Sequence, residues 1–245
     1  MSVVIVWDLD DTLIETGYKY QEFINQFVSQ YFKGDAFKFD EHINAIKKLD
    51  GQRVLEFGFK PNRLIESMLM YAYKHDLYTI DMENWLRTYY NIFIKYGSYN
   101  LILNVYDVLV AANKWDYTYN YILTSGVKEM QTKKINYAQL NDYIDGVEII
   151  EHFKTKKDFK DIKKKIIKEE CLDDSTLFIS VGNSLKSDIY PAIEAGFYGI
   201  FLETDNNATF YDVEKKIDYS YFYTSTNRED FKLDDLQDVI EFWQK

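Results

Sequence analysis

Val3-Val4-Ile5-Val6-Trp7-Asp8-Leu9-Asp10-Asp11-Thr12-Leu13 is the stretch on which the reading of this chain turns. Its first five residues are β-branched or aromatic with no polar alternation, the pattern of a strand buried on both faces at the centre of a parallel sheet. Open α/β sheets bind ligands in the crevice outside the carboxyl ends of their strands, and Asp8 and Asp10 are delivered there. Residues two apart on extended backbone point to the same side, so both carboxylates can address one cation and one substrate. Two acids that close repel each other, and a bound Mg2+ is the natural compensation. A plain polar turn would account for Asp8-Leu9-Asp10-Asp11 equally well unless the rest of the chain supplies partners for them.

The chain has 245 residues, enough for one large domain or for a core domain with an insertion. A 47% hydrophobic content can fill a substantial core, and 28% charged residues is ordinary for a soluble globule. The net charge of −11 argues against nucleic acid or an anionic membrane as the main partner. A phosphate ligand stays compatible with it, because a metal and a few local cations set the field in a site. Cys171 is the single cysteine, which excludes an intramolecular disulfide and a cysteine metal cluster. The sequence enters its first strand without a charged leader, and no apolar run approaches the ~20 residues of a membrane span. A cytoplasmic protein is therefore expected.

After Thr12 strand character disappears for about a hundred residues. Tyr20, Phe23, Ile24, Phe27, Val28, Tyr31 and Phe32 recur at helical spacing, as do Leu64, Ile65, Met68, Leu69 and Ala72. Met82, Trp85, Leu86, Tyr89, Ile92, Phe93 and Tyr96 form a third such series, and Asp40 to Leu49 a weaker one. Residues 16–98 are read as an all-helical insertion, and residues 1–15 with 99–245 as an α/β core. In the core, strands are expected at Tyr119–Leu123, Gly146–Ile150, Thr176–Val181 and Tyr198–Leu202. Helices are expected at Leu103–Ala112, Val127–Tyr137, around Phe159–Ile167, at Ser187–Ala195 stopped by Gly196, and at the end through Leu236, Val239, Ile240 and Trp243. Alternation of this kind implies a Rossmann-like, doubly wound parallel sheet.

Strand ends then present polar groups in a definite order. VVIVWDLDDTL comes first, YILTSG second, HFKTKKDF third and VGNSLKSD fourth. With these four motifs in sequence along the whole chain, it resembles the haloacid dehalogenase superfamily of aspartate-nucleophile hydrolases, with a helical cap between the first two. The resemblance implies that Asp8 attacks phosphorus to form an aspartyl-phosphate, and that Asp10 protonates the leaving oxygen and later activates water. A halide needs no acid to leave and an alkoxide does, so Asp10 favours phosphoryl transfer over dehalogenation. Thr12 is read as a hydroxyl bracing the loop. Thr124, with the backbone around Ser125 and Gly126 at a helix start, would hold phosphate. Lys154 is taken as the site lysine, with Lys156 and Lys157 as alternatives. Asp8, Asp10, Asn183 and Asp188 would hold Mg2+. Asn183 stands where most relatives have aspartate, which keeps an oxygen ligand but removes a charge.

These implications add up to a Mg2+-dependent phosphatase acting on a small phosphorylated metabolite, a sugar phosphate or a nucleotide. A phosphomutase or phosphotransferase using the same two acids, and a non-catalytic phosphate-binding protein suggested by Asn183, are the alternatives. Oligomeric state is not readable. Arg53, Lys60 and Arg63 are cap cations that could meet a second anion, though surface solvation explains each. His152 is read as a surface or loop residue close to Lys154, Cys171 as a packing residue at a helix end, and most tyrosines as cap core.

Overall fold

The computed structural model describes residues 1–33, 38–95, 99–204 and 222–244. Its centre is a six-stranded, all-parallel sheet in the order β3-β2-β1-β4-β5-β6. The strands are β1 (Val3–Trp7), β2 (Thr118–Ser125), β3 (Gly146–Ile150), β4 (Leu177–Gly182), β5 (Tyr198–Glu203) and β6 (Tyr223–Asn227). β1 is buried at every position. Val3, Ile5 and Trp7 pack into one apolar cluster and Val4 and Val6 into another on the opposite face, which is why the run shows no alternation. The chain winds outward from β1 in one direction through β2 and β3, then returns to its other side with β4. The switch between β1 and β4 opens the crevice in which such sheets bind ligands.

Helices α1 (Gly17–Tyr31), α2 (Phe39–Phe57), α3 (Arg63–Tyr73) and α4 (Met82–Tyr90) follow β1 before the core resumes with α5 (Leu103–Ala112). The first four enclose an aromatic core of their own, with Phe23 edge-on to Trp85 at 5.2 Å and to Phe93 at 5.7 Å. α2 is the longest helix among the described residues and runs eight residues past the expected Leu49. Its second half buries Asp50, whose carboxylate is satisfied by Arg63 Nη1 at 2.5 Å and Ser67 Oγ at 3.0 Å. α4 passes into a wider π turn, Asn91–Lys95, and Tyr96 lies outside the described residues.

The remaining helices are α6 (Lys128–Tyr137), α7 (Lys156–Glu169), α8 (Tyr190–Ile193) and α9 (Leu233–Gln244). The helix expected over Ser187–Ala195 is instead a π turn, Leu185–Ile189, leading into the four residues of α8. Gly196 stops it with φ +84°, the left-handed conformation glycine adopts freely. β6 was not foreseen, because Tyr-Thr-Ser-Thr-Asn at a half-exposed sheet edge carries no apolar run. In α9, Leu236 and Val239 are buried, whereas Trp243 is exposed rather than on the packed face. Among the described residues no helix is long and apolar enough to cross a membrane.

Candidate active site

The β1–α1 loop carries Asp8 and Asp10 into a tight turn over residues 11–13. Leu9 accepts from the amides of Leu13 and Ile14, folding the chain back over itself. Asp11 sits at φ +60°, and its carboxylate accepts from the amides of Thr16 and Gly17 at 2.8 Å each. An aspartate tolerates that backbone region better than most residues and can hold the turn through its side chain. Thr12, fully buried, donates to Asp8 Oδ2 at 3.1 Å and lies 3.4 Å from Asn183 Oδ1, so its hydroxyl bridges the first and fourth motifs.

Asp8 is buried at the carboxyl end of β1, its amide tied to the Val181 carbonyl of β4 at 2.9 Å. The Lys154 ammonium bridges Asp8 Oδ1 at 2.5 Å and Asp188 Oδ1 at 2.6 Å. Burial, then the charge of Asp188, raise the Asp8 pKa to about 7 against the downward pull of Lys154. Burial would lower Lys154, but Asp188 and Asp8 outweigh it and hold the ammonium above its usual value. Asp188 Oδ2 accepts from the Ser184 amide at 2.9 Å. Gly182 lies so near that a Cβ there would stand 2.5 Å from the Asp188 carboxylate.

Lys154 is placed by the loop between β3 and α7, where Thr155 and Asp158 cap the helix reciprocally. Lys156 is half-exposed with Glu194 at 3.9 Å, and Lys157 is exposed beside Asp161, so neither reaches Asp8. His152 turns outward to Asp158 at 3.1 Å. Cys171 is exposed at φ +53°, so the expectation that it packs at a helix end is not met.

Thr124, the penultimate residue of β2, is fully buried, and the Ser125 hydroxyl is buried with no hydrogen-bond partner among the described residues. Gly126 departs from expectation, because its amide is spent on the Ile150 carbonyl at 2.8 Å and does not face a ligand. Two residues that the sequence reading missed complete the arrangement. Lys134 donates to Asp10 Oδ1 at 2.6 Å, and Gln131 donates to Asp10 Oδ2 and to Thr124 Oγ1, each at 2.7 Å. Both are buried on one face of α6, three residues apart. In a lysine-rich helix of low apolar contrast, such residues read as a solvated face, and no signal marked them.

A cleft of about 1060 Å³ joins these groups to the inner wall of the helical cap. Arg63 and Lys60 line it, but Arg63 is neutralised by Asp50 at 2.5 Å and Lys60 stands 3.6 Å from Glu151. Arg53 does not line the cleft and pairs with Glu66 instead. Among the described residues no three His, Cys, Asp or Glu side chains converge on one point as ligands, since the carboxylates turn toward Lys154 and Lys134. Apart from the Lys154 ammonium, the groups around Asp8 offer oxygen, from Thr12, Asp188 and Asn183, the kind of ligand that hard divalent cations take.

The family model described as haloacid dehalogenase-like hydrolase matches residues 5–201. A haloacid dehalogenase-like family hydrolase from Xanthomonas campestris superposes with a TM-score of 0.67 at 17% identity, covering 99% of this chain and 91% of that one. The putative HAD-hydrolase YfnB from Bacillus subtilis, solved with magnesium and described as revealing interdomain movement, gives 0.64 at 19% identity over 98% and 99%. L-2-haloacid dehalogenase from Xanthobacter autotrophicus gives 0.51 at 16% over 82% and 78%. No curated protein is similar enough in sequence to count as a match. The family model spans both sides of the cleft, from β1 through the cap to β5, and on that ground the chain belongs to the haloacid dehalogenase-like hydrolases.

Proposed function

We propose that the chain is a phosphatase that hydrolyses a small phosphomonoester through an aspartyl-phosphate on Asp8. The observation that carries this reading is Asp10, a second carboxylate two residues beyond the nucleophile, held at the cleft by two donors of α6. Displacing halide from carbon requires no proton donor, whereas expelling an alkoxide from phosphorus does. Haloacid dehalogenases occur among the similar structures, but at 16% identity or less that likeness speaks for the fold alone.

A carboxylate oxygen of Asp8 attacks phosphorus, and the bond from phosphorus to the ester oxygen breaks. Asp10 gives its proton to the departing alkoxide, then takes a proton from the water that cleaves the bond between phosphorus and Asp8. Lys154 spreads the negative charge collected at Asp8 and Asp188. The unpartnered Ser125 hydroxyl and the Thr124 hydroxyl are donors suited to phosphate oxygens. Asp8, Asp10, Asn183 and Asp188 offer an oxygen set fit for Mg2+, with the burial of Asp8 beside Asp188 as the reason a cation is wanted there. Such an ion supplies Lewis-acid polarisation of the phosphoryl oxygens and offsets the carboxylate charge.

Phosphate release from a panel of phosphorylated metabolites, sugar phosphates and nucleotides included, tests the reading, with halide release from 2-haloacids as the competing assay. Asp8→Asn should abolish phosphate release while the fold persists. Asp10→Asn should depress alkyl phosphates by on the order of a hundredfold or more and nitrophenyl phosphate far less, since that leaving group needs little protonation. Halide release without phosphate release would reverse the assignment.

A further inference from the structure

α6 contributes no residue to any of the four motifs, yet it makes the densest set of bonds to the groups that would do the chemistry. Gln131 Nε2 has two hydrogens and three acceptors in range, Asp10 Oδ2 and Thr124 Oγ1 at 2.7 Å and the Ser125 carbonyl at 3.1 Å. Its amide lies directly over Gly126, where an added Cβ would come within 2.8 Å of the Gln131 side chain. The bare glycine is what lets Gln131 reach under the cleft. Lys134, one helical turn on, is closed between Asp10 and the ring of Tyr99, which its ammonium approaches to 5.6 Å. Asp10 and Tyr99 together hold the buried ammonium above its usual pKa although burial alone would lower it.

We propose that Gln131 and Lys134 are positioning residues for the reaction, a proposal that rests on the phosphatase reading. Because Thr124 Oγ1 accepts from Gln131, its own hydrogen is left to point at an acceptor in the cleft, and a phosphate oxygen is the acceptor that reading places there. The second task concerns Asp10. Lys134 and Gln131 each take one of its two oxygens, which fixes the rotation of the carboxyl group about its bond to the chain. A carboxylate oxygen has a further lone pair, so each keeps one site for the travelling proton. Both side chains line the cleft, and Asp10 is the more open of the two, 29% exposed against 3% for Lys134, so the carboxyl group is the one within reach of a substrate. Lys134 thus acts through Asp10, and Gln131 through Asp10 and Thr124.

The test compares kcat and KM of Lys134→Met, Lys134→Arg and Gln131→Met on an alkyl phosphate and on nitrophenyl phosphate. Lys134→Met should lower kcat on the alkyl ester by about tenfold or more, inside the range of general acid–base contributions, with nitrophenyl phosphate affected much less and KM little changed. Lys134→Arg should recover part of the loss. Gln131→Met, which also releases Thr124, should lower turnover of both esters and raise KM. Equal losses on both esters for Lys134→Met, a change confined to its KM, or no recovery with arginine would overturn the proposal. A double-mutant cycle between Asp10→Asn and Lys134→Met on thermal unfolding needs no turnover. Measurable coupling supports the placement of Asp10 by Lys134, and additive effects overturn it. A wild-type chain releasing phosphate from no ester would sink the phosphatase reading, while the cycle still decides the pairing.

Discussion

At the scale of single residues, the charge of Asp8 sets the terms. Its pKa of about 7 comes first from burial and then from Asp188, so the folded chain binds a proton there that the unfolded chain releases near 3.8. A carboxylate shifted upward favours the folded state most at low pH, and that advantage is lost as pH rises from about 4 to about 7, then stays constant. Asparagine does not titrate. Without added metal, Asp8→Asn should therefore match wild type near pH 4 and exceed it by on the order of a few kcal/mol above pH 7. Urea melts at a series of pH values check this, and a stability gap that stays flat from pH 4 to 8 would contradict it. Thr12 shows the same point in miniature, since its single hydroxyl meets both Asp8 and Asn183, the latter 171 residues further along the chain.

Among the elements, the turn after β4 is the one most exposed to a small change. Gly182 ends the strand, and an added Cβ would meet the Asp188 carboxylate at 2.5 Å, with Asp188 itself buried and pinned by Lys154. Gly182→Ala should cost about 1–3 kcal/mol, as overpacking does, and should displace Asp188 from Lys154. Calorimetry gives the first effect, and, on the proposed function, a raised Mg2+ requirement for activity gives the second. The elements also differ in how openly the sequence declared them. β1 was legible because a parallel strand buried on both faces is apolar on both, as Val3 to Trp7 illustrate, and β3, half-buried throughout, was legible from its aliphatic Val147, Ile149 and Ile150. β6 was hidden by its polar edge, and the second half of α2 by a buried Asp50 whose partners lie on α3. Lys154 could be preferred from its place before a helix and from the family resemblance, with Lys156 and Lys157 as alternatives, whereas Gln131 and Lys134 could not be read at all, since their meaning depends on Asp10, more than 120 residues away.

For the whole molecule, the cleft is held from two sides that share no residues. On one side the two chain crossings between core and cap pair with each other, Ile14 bridging Leu101 and the Glu15 amide donating to Asn100. On the other, the loop after α2 docks on the loop that carries Lys154: the Phe59 amide donates to the Glu151 carbonyl at 2.6 Å, and the Phe59 and Phe153 rings meet edge to face at 5.4 Å. Gly58 makes the second contact possible. Its φ of +72° and ψ of −173° fall in a region open essentially to glycine alone, and a Cβ there would run into the Glu151 carbonyl. Gly58→Ala should then cost about 1–3 kcal/mol of strain, relieved by lifting this loop off the core. The crossing ribbon, which the substitution does not touch, should keep the cap attached. The expected outcome is faster hydrogen exchange at the Phe59 amide with unchanged exchange at Glu15. A raised KM should accompany it, since Phe59 and Phe153 both line the cleft beside Lys154. Equal acceleration at both amides would mean that the cap loosens as one body, and that the Phe59 contact holds nothing on its own.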